Sequence, residues 1–258
     1  MQGSLAWITI APVKALGLVH RDEVDLEPFG VRENRRFFLV DDDGRMMNGK
    51  MIGPLVRVVP DYDDETGRFA LQMPDGEVVE GEVRVGGEVV TQISRRPVAG
   101  HLVEGPWSKA LSELAGRSLR LVRTDRTGDG ADRGLHGGMS LVGTASLEAL
   151  AKAAGVERVD GRRFRMLFGV TGVPPHAEDG WIGRRVRIGD AVVRPRGNVG
   201  RCAITTQDPD TGVPDLDTLR VLGEYRGDLE TSEPLPFGIW GEVIEPGRVR
   251  LGDVVEPE

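Results

Sequence analysis

Only one cysteine, Cys202, occurs among the 258 residues. A lone thiol excludes an internal disulfide, a cysteine-ligated iron–sulfur cluster and a four-cysteine zinc site, so a metal held here must draw its other ligands from elsewhere. The same scarcity fits a reducing, cytoplasmic setting. No apolar window approaches the ~18–20 residues of a membrane-spanning helix. Met1-Gln2-Gly3-Ser4-Leu5 lacks the basic region and apolar run of a signal peptide, so neither a membrane span nor a secretory leader is expected. Basic residues are the minority, 33 Lys and Arg against 41 Asp and Glu for a net charge of −8, which argues against a nucleic-acid surface. There is no serine-centred G-x-S-x-G, no GxxxxGK phosphate loop and no CxxC pair. Of the four histidines, His20 and His101 belong to no motif and His176 follows two prolines. His136 stands in the glycine loop 134–138, where it could touch a ligand but has no second histidine at metal-ligand spacing.

Glycine, by contrast, is abundant at 36 residues. With no repeat period, that abundance reads as many turns between short strands. Leu5–Ile10, Arg35–Val40, Val56–Val59, Arg68–Gln72 and Val83–Val85 keep this rhythm. The first ~95 residues therefore predict a small antiparallel barrel or sandwich. Composition shifts near Gly100. Helices are expected from Trp107 to a stop at Gly116, over Ala145–Ala154 with Thr144 as cap and Gly155 as stop, and over Asp217–Tyr225. The polar, glycine-rich stretch 124–134 reads as a loop over a site. Phe164–Val170 reads as a buried strand, and 181–194 as a hairpin turning at Gly189-Asp190.

Arginine recurs in tight groups, Arg35-Arg36, Arg95-Arg96, Arg162 to Arg165 and Arg184-Arg185, and in an acidic chain such pockets suit a small anion. Arg35, Arg36, Arg163, Arg165, Lys14 and Lys50 are each able to bind phosphate, the guanidinium fork matching its oxygens. Each is also able to be an ordinary solvated charge. Arg36 and Arg165 differ because they flank or interrupt apolar strands, where an unpaired charge is costly. A thiolate at Cys202 is a soft donor for molybdenum, copper or zinc, and the neighbouring Arg201 favours it. The alternative is a small buried hydrophobe, the common fate of a lone cysteine. Asp208 opens the turn Asp208-Pro209-Asp210-Thr211-Gly212, six residues beyond the thiol across Thr205-Thr206.

Pro12-Val13-Lys14, the run Arg35 to Asp41, Asn48-Gly49-Lys50 and the stretch Arg201 to Gly212 together resemble the MOSC family, named from the C-terminal domain of molybdenum cofactor sulfurase. Phe237 to Trp240 and Val249 to Val254 match that family's tail, so the likeness spans nearly the whole chain. The similar branch is that of the amidoxime-reducing components, in which an N-terminal β-barrel module precedes the MOSC domain. Arg-Cys-x-x-Thr-Thr-x-Asp-Pro-x-Thr-Gly is the specific signature. Two departures stand out: Ala15 replaces a serine after Pro-Val-Lys, and Phe164-Arg165-Met166-Leu167 replaces Phe-Arg-Pro-Asn. The loop around His136 is nearer to other MOSC branches.

The resemblance implies a β-rich α+β fold: a small N-terminal β-barrel module, residues 1–98, packed on a MOSC β-barrel domain, residues 99–258, with a few peripheral helices. It implies a molybdenum cofactor, a pyranopterin whose dithiolene supplies two sulfurs to the metal and Cys202 a third. Cofactor-binding positions are expected at Lys14, Arg36, Lys50, His136, Arg165, Arg201 and Thr205, with Cys202 and Asp208 as catalytic residues. The implied activity is two-electron oxygen-atom exchange, such as reduction of an N-hydroxylated small-molecule substrate with electrons from a separate donor protein. The alternative is a non-catalytic carrier of the cofactor or of a persulfide on Cys202.

Overall fold

In the computed structural model, which describes residues 2–258, the chain is β-rich, with three α-helices and a closed seven-stranded barrel. Around the barrel run Phe168–Thr171, Met139–Gly143, Pro236–Glu245, Ala191–Gly200, Val186–Ile188, Val254–Pro257 and Gly3–Ile10. The last closes the ring by pairing with Phe168–Thr171 across Ser4–Thr171 and Ile8–Phe168. Closure removes both sheet edges, so the strand from the start of the chain is built into the barrel formed by its second half. Met139–Gly143 and Phe168–Thr171 run parallel. The crossover this requires is made through the helix Thr144–Ala154.

Alternation along these strands fills the barrel with Leu5, Ile8, Ile10, Leu141, Phe168, Ile188, Val193 and Ile239, all essentially buried. Trp7 points outward, and a Cβ at Gly169 would lie 2.2 Å from its ring. Only glycine lets the indole lie flat on that strand.

The other layer pairs a five-stranded antiparallel sheet, ordered Met46–Met47, Phe37–Val40, Arg120–Thr124, Arg96–Glu104 and Arg84–Ile93, with a three-stranded one, Val59–Tyr62, Arg68–Gln72 and Val78–Glu82. Strand Phe37–Val40 is buried on both faces. Phe37 and Leu39 enter the core between the sheets, and Phe38 and Val40 join Ile93, Val98 and Val122 behind it. Of the strand expected at Val56–Val59, Val56 and Arg57 instead end a 3₁₀ turn, Gly53–Arg57, led by Pro54, and the strand begins only at Val59. Proline presets the φ of such a turn and cannot donate to a ladder.

Helix α1, Trp107–Ala115, ends at a left-handed Gly116 as its sequence predicts. It seals this core: Trp107 is buried, donates Nε1–H to the Val79 carbonyl (3.0 Å) and meets Phe69 edge-on. The division expected at 98/99 falls inside Arg96–Glu104, whose neighbours are Arg84–Ile93 and Arg120–Thr124.

Helix α2, Thr144–Ala154, ends at left-handed Gly155, but its cap position is Gly143 and not Thr144. The fully buried Glu178 supplies the missing acceptor, taking the Gly143 N–H (3.1 Å) and the Ser146 hydroxyl. Helix α3, Thr218–Arg226, is capped by the Asp217 carboxylate, which accepts the Arg220 N–H (3.1 Å). The strand expected over Phe164–Val170 is shorter, Phe168–Thr171, because a 3₁₀ turn, Gly161–Phe164, and a left-handed Arg165 (φ +53°) precede it.

Candidate functional site

One mouth of the barrel, where Gly3–Ile10 and Ala191–Gly200 end and Met139–Gly143 and Phe168–Thr171 begin, opens into a cleft of about 770 Å³. Both layers contribute to its walls. Six basic side chains line it, Lys14, Arg35, Lys50, Arg133, Arg165 and Arg201, against two carboxylates, Asp132 and Glu233. In an acidic chain this local excess of positive charge selects an anion.

The first cluster is built on Asp132. Lys14 follows the first strand and Arg35, at φ +54°, precedes Phe37–Val40, the two segments being bridged between Val13 and Phe37. Lys14 Nζ donates to Asp132 Oδ1 at 2.7 Å, Arg35 lies 3.6 Å from Oδ2, and Ser94 donates its hydroxyl at 3.0 Å. Lys14 is 7% exposed. Burial lowers its pKa to about 8 against the opposing pull of Asp132, and the nearby Arg35 and Arg165 lower it further. Arg165 adds a third cation, held by one hydrogen bond to the Leu16 carbonyl (2.8 Å). Three cations thus face one carboxylate.

The second cluster surrounds the thiol. Cys202 is exposed on the cleft wall at the head of a 3₁₀ turn, Ala203–Thr206, so it is not the small buried hydrophobe of the alternative reading. Thr205, 1% exposed, holds the segment: its hydroxyl donates to the Cys202 carbonyl (3.1 Å) and contacts the Thr218 hydroxyl (2.7 Å) at the first residue of α3. Arg201 points inward. It donates Nε–H to the Phe237 carbonyl (2.8 Å) and Nη1 to the Phe164 carbonyl (3.0 Å), with Met166 Sδ at 3.1 Å from Nη2. Among the described residues no carboxylate pairs with it. Desolvation lowers its pKa to about 9, and the nearby Cys202 opposes that shift. Beside the thiol, Arg133 is ion-paired to Glu233 and lies 4.4 Å above the Trp240 ring, and Glu233 Oε2 accepts the Gly200 N–H at 2.9 Å.

Among the described residues no group of three or more His, Cys, Asp or Glu side chains could hold a metal ion. Cys202 is the one cysteine thiol on the cleft wall, a soft donor by its chemistry.

Comparison with known proteins gives two family matches, a MOSC N-terminal beta barrel domain over residues 2–104 and a MOSC domain over residues 132–256. The chain belongs to the MOSC family. Mouse mitochondrial amidoxime-reducing component 1 is 24% identical over 287 residues, covering 98% of this chain and 82% of that protein. Molybdenum cofactor sulfurase of Caenorhabditis briggsae is 27% identical over 255 residues, 95% of this chain but 34% of that longer protein. Human mitochondrial amidoxime reducing component 2 is 39% identical over 99 residues, 36% of this chain and 29% of the relative.

Of the MOSC positions expected from sequence, the cleft gathers Lys14, Lys50, Arg165, Arg201, Cys202 and Thr205. Arg36, His136 and Asp208 are not among its walls. Arg36 turns into the N-terminal layer, donating to the Thr124 hydroxyl at 2.8 Å. His136 is exposed at the end of a 3₁₀ turn, Gly134–Gly137. Asp208 folds onto its own loop, accepting from the backbone N–H groups of Asp210 (3.1 Å) and Thr211 (2.8 Å) and from the Thr211 hydroxyl (2.9 Å).

Arg35, a phosphate candidate ranked behind Arg36, lies in the cleft, and the expected set lacks Asn48, Asp132, Arg133, Glu233 and Trp240. The pair Arg35-Arg36 was visible, but the next strand is apolar on both faces, so alternation could not say which arginine turns to the cleft. Asp132 and Arg133 lie in the glycine-rich stretch read as a loop over a site. That stretch was the one available signal for them.

Proposed function

We propose that this MOSC protein holds a molybdenum-bearing pyranopterin in the cleft, with Cys202 as its ligand to the metal, and reduces N-hydroxylated small molecules such as amidoximes or hydroxylamines. The observation that carries this reading is the exposed lone thiol of Cys202 on the wall of a cleft lined by six cations. The names of the amidoxime-reducing and sulfurase relatives support it.

The residues fit such a group. Lys14, Arg35 and Arg165 suit its phosphate. Cys202 is a soft donor suited to its metal, and Asn48 Oδ1 is a buried acceptor in the cleft without a partner. When bound, the group supplies a metal centre that exchanges an oxygen atom and two electrons with substrate.

The chain's own residues do the rest. Arg201, buried and unmatched by a carboxylate, sets a fixed positive charge one residue from the Cys202 thiol. Thr205 fixes the Cys202 carbonyl to the start of α3, which orients the thiol. Arg133 and Glu233 flank the approach to it. In the net reaction the N–OH compound takes up two electrons and two protons and yields the N–H compound and water. The electrons come from a separate donor protein, since one cysteine leaves no ligands for an iron–sulfur centre in this chain.

The exposure of Cys202 also favours a second reading, a carrier that passes on the cofactor or a persulfide sulfur. Protein from a cofactor-competent host, assayed anaerobically with reduced viologen as electron source and benzamidoxime as substrate, separates the two. We expect molybdenum and pterin near one per chain and formation of benzamidine. Fully loaded protein that turns over none of a broad N-hydroxylated panel contradicts the reductase, and a persulfide without pterin supports the carrier.

A further inference from the structure

Asn48 is held tightly but to no internal purpose of its side chain. It follows the short strand Met46–Met47, and its main-chain carbonyl accepts from the N–H groups of Met51 (3.0 Å) and Ile52 (3.3 Å). The next residue is pinched from two sides. A Cβ at Gly49 would lie 3.0 Å from Ile204 Cδ1 and 3.3 Å from the Ala15 carbonyl, and the Gly49 carbonyl accepts from Gln207 Nε2 at 3.2 Å. The loop thus stands between the turn that carries Lys14 and the segment that carries Cys202.

The backbone of this turn is closed by backbone hydrogen bonds, so the side-chain amide is not needed to form it. Asn48 Oδ1 is nevertheless shut off from solvent, lacks a hydrogen-bond partner and belongs to the cleft wall. An acceptor buried in that way is destabilising until a donor reaches it.

We propose that Asn48 reads the heterocycle of the bound cofactor, its Oδ1 accepting a hydrogen bond from a ring N–H or amino group of the aminopyrimidinone. The proposal rests on the cofactor reading above. A molecule that spans from the Lys14 cluster to the Cys202 thiol passes this loop, and an aminopyrimidinone has N–H donors on its edge where a plain organic phosphate has none. Lys14, Arg35 and Arg165 then select charge, and Asn48 selects the ring.

The test uses the full chain, expressed in a cofactor-competent host, as wild type, Asn48→Leu and Asn48→Asp. Leucine keeps the volume without polar atoms, and aspartate keeps the acceptor. Oxidised-pterin fluorescence per chain gives cofactor content, and its decay on dialysis gives the rate of loss. We expect the leucine variant to lose pterin roughly tenfold faster than wild type, the value of one neutral hydrogen bond, and the aspartate variant to stay within about threefold of wild type. Cofactor-free Asn48→Leu should melt at or above the wild-type temperature and bind inorganic phosphate as wild type does, because only the ring contact is removed.

Wild-type pterin content and loss rate in Asn48→Leu would overturn the proposal while leaving the cofactor reading intact. So would a lowered melting temperature of both cofactor-free variants, which would make the residue structural. Wild-type protein without pterin from that host would sink the cofactor reading and this inference with it.

Discussion

Arg201 carries its charge into the end of the barrel and finds carbonyl oxygens and a thioether there, with its guanidinium carbon 5.0 Å from the centre of the Phe164 ring. Replacing it by methionine keeps most of the volume but strands the Phe164 and Phe237 carbonyls. Arg201→Met should therefore destabilise the chain by about 2–4 kcal/mol in urea unfolding, and a loss under 1 kcal/mol would contradict these contacts. Lys14 titrates within reach of ordinary buffers. Its folded pKa of about 8 lies below the ordinary lysine value of 10.5, so between those values the unfolded chain binds more protons than the folded one. From this residue, stability of the cofactor-free protein rises as pH climbs through that window, while affinity for an anion falls. Phosphate binding by calorimetry should weaken as pH rises past about 8, and the Lys14→Met variant should lose that component. Cys202 was legible as a metal-ligand candidate because its absence of companions is a property of composition. Arg35 was not resolved from Arg36, because their separation is a matter of a positive φ in a segment that precedes a two-sided apolar strand.

The turn Asp208 to Gly212 is an element with a partner far away in sequence. Its Gly212, at φ +74°, would place a Cβ 2.0 Å from the Gly53 carbonyl, and a Cβ at Gly53 would lie 2.2 Å from the Gly212 carbonyl. Two backbones touch there, docking the thiol-bearing loop on the 3₁₀ turn Gly53–Arg57 of the other layer. Asp210 reinforces the same turn through a two-pronged pair with Arg162 at 2.7 and 2.9 Å. Gly212→Ala combines a left-handed backbone with a clash that no side-chain motion relieves, and should cost about 2–4 kcal/mol. Asp208→Ala removes only the hydrogen bonds that shape the turn, and should cost about 1–2 kcal/mol without loss of bound molybdenum; loss of the metal at unchanged stability would return Asp208 to the chemistry. Proline and glycine made this turn readable in the sequence. Nothing local to it announced Gly53, since close backbone approach between distant segments leaves a trace only as two glycines.

The whole molecule is organised by a strand from one end of the chain completing a barrel made by the other. The sequence rhythm of short strands and glycine turns led to a β-rich fold opening with a small barrel or sandwich, the MOSC resemblance implied a second barrel, and the chain is β-rich with a closed seven-stranded barrel and three helices. It did not show that Gly3–Ile10 lies between Val254–Pro257 and Phe168–Thr171, because a strand's alternation records burial and not the identity of its neighbours. A chain cut after residue 104 tests this arrangement: residues 105–258 alone have an open barrel with two bare edges and should aggregate, and co-expression with residues 1–104 should restore a soluble complex. A soluble 105–258 fragment with a cooperative melt would contradict it. Among the described residues no helix is long and apolar enough to cross a membrane. The most direct test of the account is the molybdenum-to-protein ratio of wild type and Cys202→Ala, both purified from a cofactor-competent host and matched for melting temperature. The account predicts a ratio near one for wild type and near zero for the variant, and equal molybdenum in the two would contradict the assignment of Cys202 as the metal's protein ligand.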